Sequence, residues 1–410
     1  SLLPMTHHSR TSNWRVIESF TCGKSDSCNE YSPSSNDAPS PSIFHSNNRS
    51  SRNEDAIVIT PHFAVVLDGV TDKSSASSHN SSLSSASQSS SCDTSCDLQN
   101  KNNAANNTAD TSQHREKKKE KSKQSSNEQG NEGKESPGRF ASRILSEAFC
   151  DASIVQPNMT FREVLDVLTD VLDDGIRRKQ KQNNDDSIPF LKLQSKRPAV
   201  GAVVAYSASR RELWRLGDGS YRIDDTHLSL GHKAIDELTA HVRSVRLEMA
   251  LLSGEFSLTD ENDLETTQPK KDIGRDCILP LLQNQHVFCN VAVEESNDDN
   301  EEEEIGEKAL KRKYGYGCLN GTYIPDQYLE IIPIPLNARE IVMASDGYPC
   351  VENTLEKSEK VLQQLLKEDP LCFRTNKSTK GIMNGNSSFD DRSYLRIALN
   401  IDNTKNSCQT

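Results

Sequence analysis

Apolar side chains are scarce in this sequence. Only 33% of its 410 residues are hydrophobic and 5% are aromatic, and the mean hydropathy is −0.71. A chain of this length has room for two or three domains, but each needs enough buried apolar surface to offset the conformational entropy lost on folding. We therefore predict one folded domain that is interrupted by poorly packed insertions.

Basic residues and long apolar runs are also lacking. The 48 Lys and Arg residues are outnumbered by 60 Asp and Glu residues, which gives a net charge of −12. Nucleic acids and anionic lipids bind basic surfaces, so neither is predicted as a partner. No apolar run approaches the ~20 residues of a membrane span, and no signal-peptide pattern is present. We predict a monomer that binds divalent cations or cationic peptides and does not enter membranes.

Paired cysteines and grouped histidines are missing. The eleven cysteines are an odd number, widely spaced and without a CxxC pair, and the ten histidines form no HxH or HExxH group. These patterns favour neither a disulfide framework nor a zinc site. We therefore predict free thiols in a reducing compartment, and so an intracellular protein that is cytoplasmic or nuclear.

Changes of composition divide the chain into segments. The N-terminal segment is rich in Ser, Asn and Pro, and its short apolar cluster around Trp14 either docks on the core or stays loose. A Ser-, Asn- and Lys-rich stretch has almost nothing to bury and is predicted to be disordered. The predicted segments are a flexible N-terminal segment at 1–42, a domain at 43–400 with an insertion at 73–136 and acidic or polar loops near 257–271 and 294–313, and a tail at 401–410.

Hydrophobic periodicity predicts both helices and strands. Thr160 and Glu163 are spaced as a helix capping box, and Pro280 is predicted to interrupt a short helix. Strands joined by hairpins, with helices arriving in pairs, favour antiparallel sheets covered by helices, an α+β fold. The predicted helices are 138–152, 161–178, 232–252, 276–282 and 355–367, and the predicted strands are 199–206, 212–216, 328–334, 340–344 and 393–399.

Acidic residues lie where predicted strands end. The apolar run 63–67 leads directly into Asp68, and the run 341–344 leads into Asp346. A single Asp-Gly pair is usually a plain turn, but a carboxylate at the end of a buried strand is held rigidly. Several such carboxylates at one sheet edge repel each other unless cations lie between them, and oxygen ligands suit Mg²⁺ or Mn²⁺. The pattern predicts a metal-dependent hydrolase.

The acidic segments, in their order, resemble the motifs of the type 2C metal-dependent protein serine/threonine phosphatase family. The similarity runs discontinuously from about Asn53 to Leu399 and consists of five short motifs. The matching segments are Asn53-Glu54-Asp55-Ala56, the strand that ends in Asp68-Gly69, Leu216-Gly217-Asp218-Gly219-Ser220, Ala344-Ser345-Asp346-Gly347 and Asp390-Asp391-Arg392-Ser393.

The resemblance implies a four-layer α-β-β-α sandwich with two central antiparallel sheets. It also implies a centre of two Mg²⁺ or Mn²⁺ ions, with room for a third, which activates water to hydrolyse phosphoserine or phosphothreonine in a phosphorylated protein substrate. The implied roles are Asp68 bridging two ions, Glu54 and the Gly69 carbonyl holding one, Asp346 and Asp390 holding the other, Asp218 with Asp346 offering a third position, and Asp55 orienting the water.

Two positions depart from the family pattern. Many members have a His directly after the first Asp-Gly, where this chain has Val70, so a water or Asp72 is left to protonate the leaving group. The family's phosphate-binding Arg falls on Ser50, which is flanked by Arg49 and Arg52. Either arginine is a candidate for the substrate phosphate, and both are equally well explained as exposed loop residues.

Two other functions stay open at this stage. The departures support a catalytically weak or inactive domain of the same fold that serves as a regulatory or scaffold module. The retained acidic set opposes that hypothesis, because a scaffold has no need to keep repelling carboxylates together. A phosphatase acting on a small phosphorylated metabolite is the third possibility.

Overall fold

The described residues belong to one compact unit of the chain. The computed structural model describes residues 14–26, 43–45, 53–70, 135–182, 197–255, 257, 272–293, 306–383 and 385–399. They fall in a unit formed by Ser1–Ser75 and Glu135–Thr410. The predicted insertion at 73–136 lies outside the described residues except for its last two, as do the tail, most of the loop near 257–271, and 294–305.

Eleven described strands form two antiparallel sheets. The smaller sheet has the order β1-β11-β10-β7-β8, and the larger sheet has the order β2-β3-β4-β5-β6-β9. The α+β class with two antiparallel sheets is thereby confirmed. The strands are β1 Trp14–Cys22, β2 Ile43–His45, β3 Ala56–Ile59, β4 Phe63–Gly69, β5 Val200–Ser207, β6 Glu212–Leu216, β7 Ser220–Ile223, β8 His227–Ser229, β9 Glu330–Pro333, β10 Glu340–Ala344 and β11 Arg392–Leu399.

Six α-helices are described, and their starts follow the expected capping chemistry. The backbone N–H and hydroxyl of Thr160 both donate to Glu163 at 2.8 Å, which confirms the capping box. Ser136 accepts from the Arg139 N–H at the start of the first helix. The helices are α1 Pro137–Cys150, α2 Phe161–Gln182, α3 Ala234–Leu252, α4 Ile273–Asn284, α5 Glu307–Tyr314 and α6 Leu355–Glu368.

Strand β3 and residues 63–67 of β4 are apolar because both faces of these segments are buried. Alternate residues of a strand point to opposite faces. Val58 and Val65 pack with the apolar faces of α1 and α2. Their neighbours Ala64 and Val66 pack with residues of the smaller sheet, among them Met343. The two ends of β4 are therefore held rigidly, and Asp68 is fixed with them.

Three predicted boundaries are wrong. Trp14–Cys22, predicted as part of a flexible segment, forms β1 and pairs with β11 along its length, because Trp14 finds a buried apolar site. Helix α4 begins earlier than predicted, at Ile273, and continues past Pro280. Proline removes one N–H donor there without breaking the helix. The predicted loop near 294–313 contains α5.

The cysteine prediction holds only in part. Six cysteines among the described residues are free thiols. Cys22 is disulfide-bonded, so the prediction of free thiols throughout is wrong at this position. Within the described part of the chain, none of the helices combines the length and apolar character that crossing a bilayer requires.

Candidate active site

The register of the larger sheet brings two predicted site residues together. Ala56 at the start of β3 lies opposite Leu67 of β4, so Asp55 comes beside Asp68. The pairing of β4 with β5 shifts register between Asp68 and Gly69. Such a bulge re-aims the side chains next to it. Asp55 is buried, and Asp68 is half-buried.

The smaller sheet brings three more acids to its own edge. Strand β10 ends at Ala344, which lies opposite Ser220 at the start of β7. Asp346 and Asp218 lie just beyond this pair, and Asp390 just precedes β11. The antiparallel register therefore places three carboxylates from distant parts of the sequence at the same end of neighbouring strands.

A single cavity joins the acids of the two sheets. Its volume is about 580 Å³, and Gly69 lines it beside the carboxylates. The acids on its wall include Asp68 from the larger sheet and Asp218, Asp346 and Asp390 from the smaller one, and Asp236 and Glu237 of α3 also line it.

Burial and mutual repulsion act on these carboxylates. Burial, followed by the charges of Asp346 and Asp55, raises the pKa of Asp68 well above its ordinary value. Burial and the charges of Asp390 and Asp218 raise the pKa of Asp346 in the same way. Burial and Asp391 raise the pKa of Asp55 to about 7. Each group makes ionisation of the others less favourable, which is the condition that a bound cation relieves.

Backbone contacts bring Glu54 next to Gly69. A Cβ added at Gly69 would lie 2.4 Å from the Glu54 carbonyl oxygen, so only glycine allows this approach. The hydroxyl of Ser142 donates to the same carbonyl at 2.6 Å. Asp391 accepts from the Glu54 N–H at 3.0 Å. The peptide groups on both sides of Glu54 are thus fixed from other elements.

The predicted ligand atoms are of the type that a hard divalent cation prefers, but their side chains are not arranged as a coordination shell. All the predicted ligands are carboxylate or carbonyl oxygens, which Mg²⁺ and Mn²⁺ prefer. Among the described residues, no group of three or more His, Cys, Asp or Glu side chains has an arrangement that would hold an ion. The Asp390 carboxylate is instead paired with Lys380 and Lys24.

Basic residues form part of the same cavity wall, and the sequence analysis missed them. Arg275 and Lys380 belong to segments that are far apart in the sequence, and no local pattern marks either of them. An anionic substrate entering the cavity would meet these basic residues as well as the acids. The basic residues on the wall are His232, Lys233, Arg275, Lys377 and Lys380.

Four other positions were singled out in the sequence: Val70, Arg49, Arg52 and Asp72. Val70 lines the cavity, and its N–H donates to the Ala199 carbonyl. An apolar side chain there provides no acid. Arg49, Arg52 and Asp72 lie outside the described residues, so their predicted roles stay predictions.

Ser345 connects the two sheets at the site, and its removal is expected to slow catalysis. Its hydroxyl donates to Asp55 Oδ2 at 2.7 Å and accepts from the Ser393 N–H at 2.8 Å. Ser345→Ala leaves the Asp55 carboxylate without this donor, so for the phosphatase activity that the sequence resemblance implies we expect kcat/KM to fall by about 10–100-fold. Steady-state kinetics with a phosphopeptide measure the effect.

A matched control for this prediction is Ser146→Ala. Ser146 is also fully buried, but its hydroxyl donates to the Ser142 carbonyl inside α1. If both variants lose the same activity, Ser345 has no specific role in orienting Asp55.

Comparison with known proteins gives only distant likenesses. No family model matches the chain, and no curated protein matches it. The crystal structure of serine-threonine phosphatase 2C from Toxoplasma gondii is similar with a TM-score of 0.29 and 11% identity, covering 84% of this chain and 90% of that one. A C. elegans sex determining protein is similar with a TM-score of 0.25 and 14% identity, covering 64% of this chain and 53% of that one. Both TM-scores are low, so the site is interpreted from its own residues.

Proposed function

We propose that this chain is a Mg²⁺- or Mn²⁺-dependent phosphomonoesterase that acts on phosphoserine or phosphothreonine in proteins. The observation that carries the proposal is the shared cavity of Asp68, Asp218, Asp346 and Asp390. Four acids from separate parts of the sequence meet there, although burial and neighbouring carboxylates raise the pKa of Asp68 and Asp346. We further propose that the helices and sheets stack in four layers, α-β-β-α, around this cavity.

Each residue of the site would have its own role in the reaction. Asp68, Asp346 and Asp390, with Glu54 and the Gly69 carbonyl, would hold the cations, and Asp218 would add a further oxygen ligand. A cation bound there supplies charge neutralisation for the phosphate and a more acidic water. Asp55, fixed by Ser345, would orient the attacking water. The oxyanion of the substrate would be held against the basic wall.

The leaving oxygen needs a proton that Val70 cannot give. Because the cavity is open to solvent and Val70 is apolar, we propose that water protonates the leaving serine or threonine oxygen. Compared with an enzyme that has a positioned acid, this route predicts a steeper fall in the hydrolysis rate as the leaving group becomes poorer.

Metal-dependent hydrolysis tests the proposed function. Purified protein is incubated with a phosphothreonine peptide, a phosphoserine peptide and small phosphate esters in Mn²⁺, in Mg²⁺ and in excess chelator. We expect release of inorganic phosphate from the peptides with either metal and none with chelator. Hydrolysis of the small esters alone would identify a metabolite phosphatase. Absence of turnover on every substrate, with Mn²⁺ present, would contradict the proposal and leave the regulatory module.

A further inference from the structure

Lys380 is paired with one of the predicted metal ligands. Its ammonium group forms an ion pair with Asp390 Oδ2. The side chain is only 19% exposed, and it lines the cavity that contains Asp346. Lys24, which follows the end of β1, lies 3.9 Å from Asp390 and 3.6 Å from the neighbouring Asp391. Two ammonium groups therefore already face this half of the acidic cluster.

The charge balance differs between the two halves of the cluster. Asp390 has two ammonium groups near its carboxylate, from Lys380 and Lys24. Asp68 lies beside Asp55 across the pairing of β3 with β4 and lines the cavity together with Asp218 and Asp346. Asp390 is thus compensated by protein charge, whereas the acids beside Asp68 carry charge of its own sign.

The backbone that carries Lys380 is anchored from two helices. Arg243 of α3 is buried, and its guanidinium donates to the carbonyls of Leu371, Cys372 and Ser378. Arg275 of α4 donates to the Thr379 carbonyl at 2.8 Å. Lys380 follows directly. These contacts fix the start of its side chain within reach of Asp390.

We propose that the Lys380 ammonium is a built-in cation of the site, which occupies the position beside Asp390 and competes there with a divalent ion. The inference rests on the proposed metal-dependent function and deepens it. A bound amine neutralises Asp390 without metal, so divalent ions in the wild-type protein bind chiefly on the Asp68 and Asp346 side. Removing the amine makes Asp390 available as a ligand.

Titration with Mn²⁺ tests this proposal without an activity assay. Isothermal calorimetry and Mn²⁺ electron paramagnetic resonance are applied to the wild-type chain and to Lys380→Met. We expect Lys380→Met to bind one additional ion or to bind Mn²⁺ roughly 10-fold more tightly, a change within the range that groups adjoining metal ligands produce. The matched control is Lys377→Met, because Lys377 lines the same cavity and is exposed. It should titrate like the wild type.

Other outcomes overturn the proposal. Equal or weaker Mn²⁺ binding by Lys380→Met, or the same gain in Lys377→Met, would show that Lys380 does not compete with metal. Lys380→Gln keeps a polar side chain, and it replaces the methionine variant if that one does not fold.

If the wild type hydrolyses no phosphopeptide but Lys380→Met binds more Mn²⁺ than the wild type, the proposed function fails and this inference stands. If the wild type hydrolyses phosphopeptides but Lys380→Met shows no gain in Mn²⁺ binding, the proposed function stands and this inference fails.

Discussion

Asp68→Asn is expected to abolish phosphopeptide hydrolysis while the protein stays folded. Asp68 lies between the acids of both sheets, and its carboxylate interacts with Asp55, Asp218, Asp346 and Asp390. Loss of a group next to a metal ligand already costs about 10–100-fold, so loss of the central ligand should lower kcat/KM by roughly 10³-fold or more. Asn keeps the shape of the side chain and removes a charge that its neighbours repel.

Stability measurements separate this effect from unfolding. Without metal, the melting temperature of Asp68→Asn should equal or exceed that of the wild type, because a repelled buried charge has been removed. Added Mn²⁺ should raise the melting temperature of the wild type and raise that of the variant much less. Asp225→Asn is the control, since its side chain is 76% exposed and does not line the cavity. Full turnover by Asp68→Asn would remove its proposed role.

Arg243→Met is expected to destabilise the fold by about 3–5 kcal/mol. The guanidinium donates twice to Asp272 Oδ2, at 3.0 and 2.7 Å, and both partners are buried. It also donates to three carbonyls of the segment that leads to Lys380. Methionine fills much of the space but leaves the Asp272 charge and the carbonyls without these donors. The free energy of unfolding, from urea denaturation, measures the loss.

The control for Arg243 is a surface ion pair of the same kind. Arg374 pairs with Glu248 at 2.8 Å, and the two side chains are 51% and 41% exposed. Exposed pairs contribute little, so Arg374→Met should change the free energy of unfolding by no more than about 1 kcal/mol. Similar losses of unfolding free energy in Arg243→Met and Arg374→Met would mean that burial does not increase the contribution of the Arg243 network to stability.

Local sequence patterns predicted the elements that bury a regular apolar face. Strand β10 was predicted at its observed bounds, and the Thr160 capping box was correct, because both depend on residues that are close in sequence. Strand β1 was not predicted as a strand, because its stability comes from pairing with β11, about 370 to 385 positions away. The burial of Trp14 is a property of the folded sheet pair and cannot be read from residues 14–22 alone.

The acids of the site could be predicted because they too are marked by residues close to them in sequence. Asp68 and Asp346 each follow a short apolar run, and antiparallel pairing then fixes which strand ends meet. The positively charged groups gave no such signal. Lys380 and Arg275 reach the cavity only because the Arg243 network folds their segments together, and no periodicity marks those contacts. Sequence reasoning therefore predicted an acidic cluster and missed the ammonium group that faces it.

The location of Mn²⁺ in a crystal of this chain tests the central claim most directly. Anomalous diffraction from a crystal grown with Mn²⁺ should show a strong peak within about 2–2.5 Å of carboxylate oxygens of Asp68 and Asp346, with Asp390 still close to Lys380. A Mn²⁺-saturated crystal without any peak at Asp68, or with its peaks only at surface carboxylates, would contradict the account.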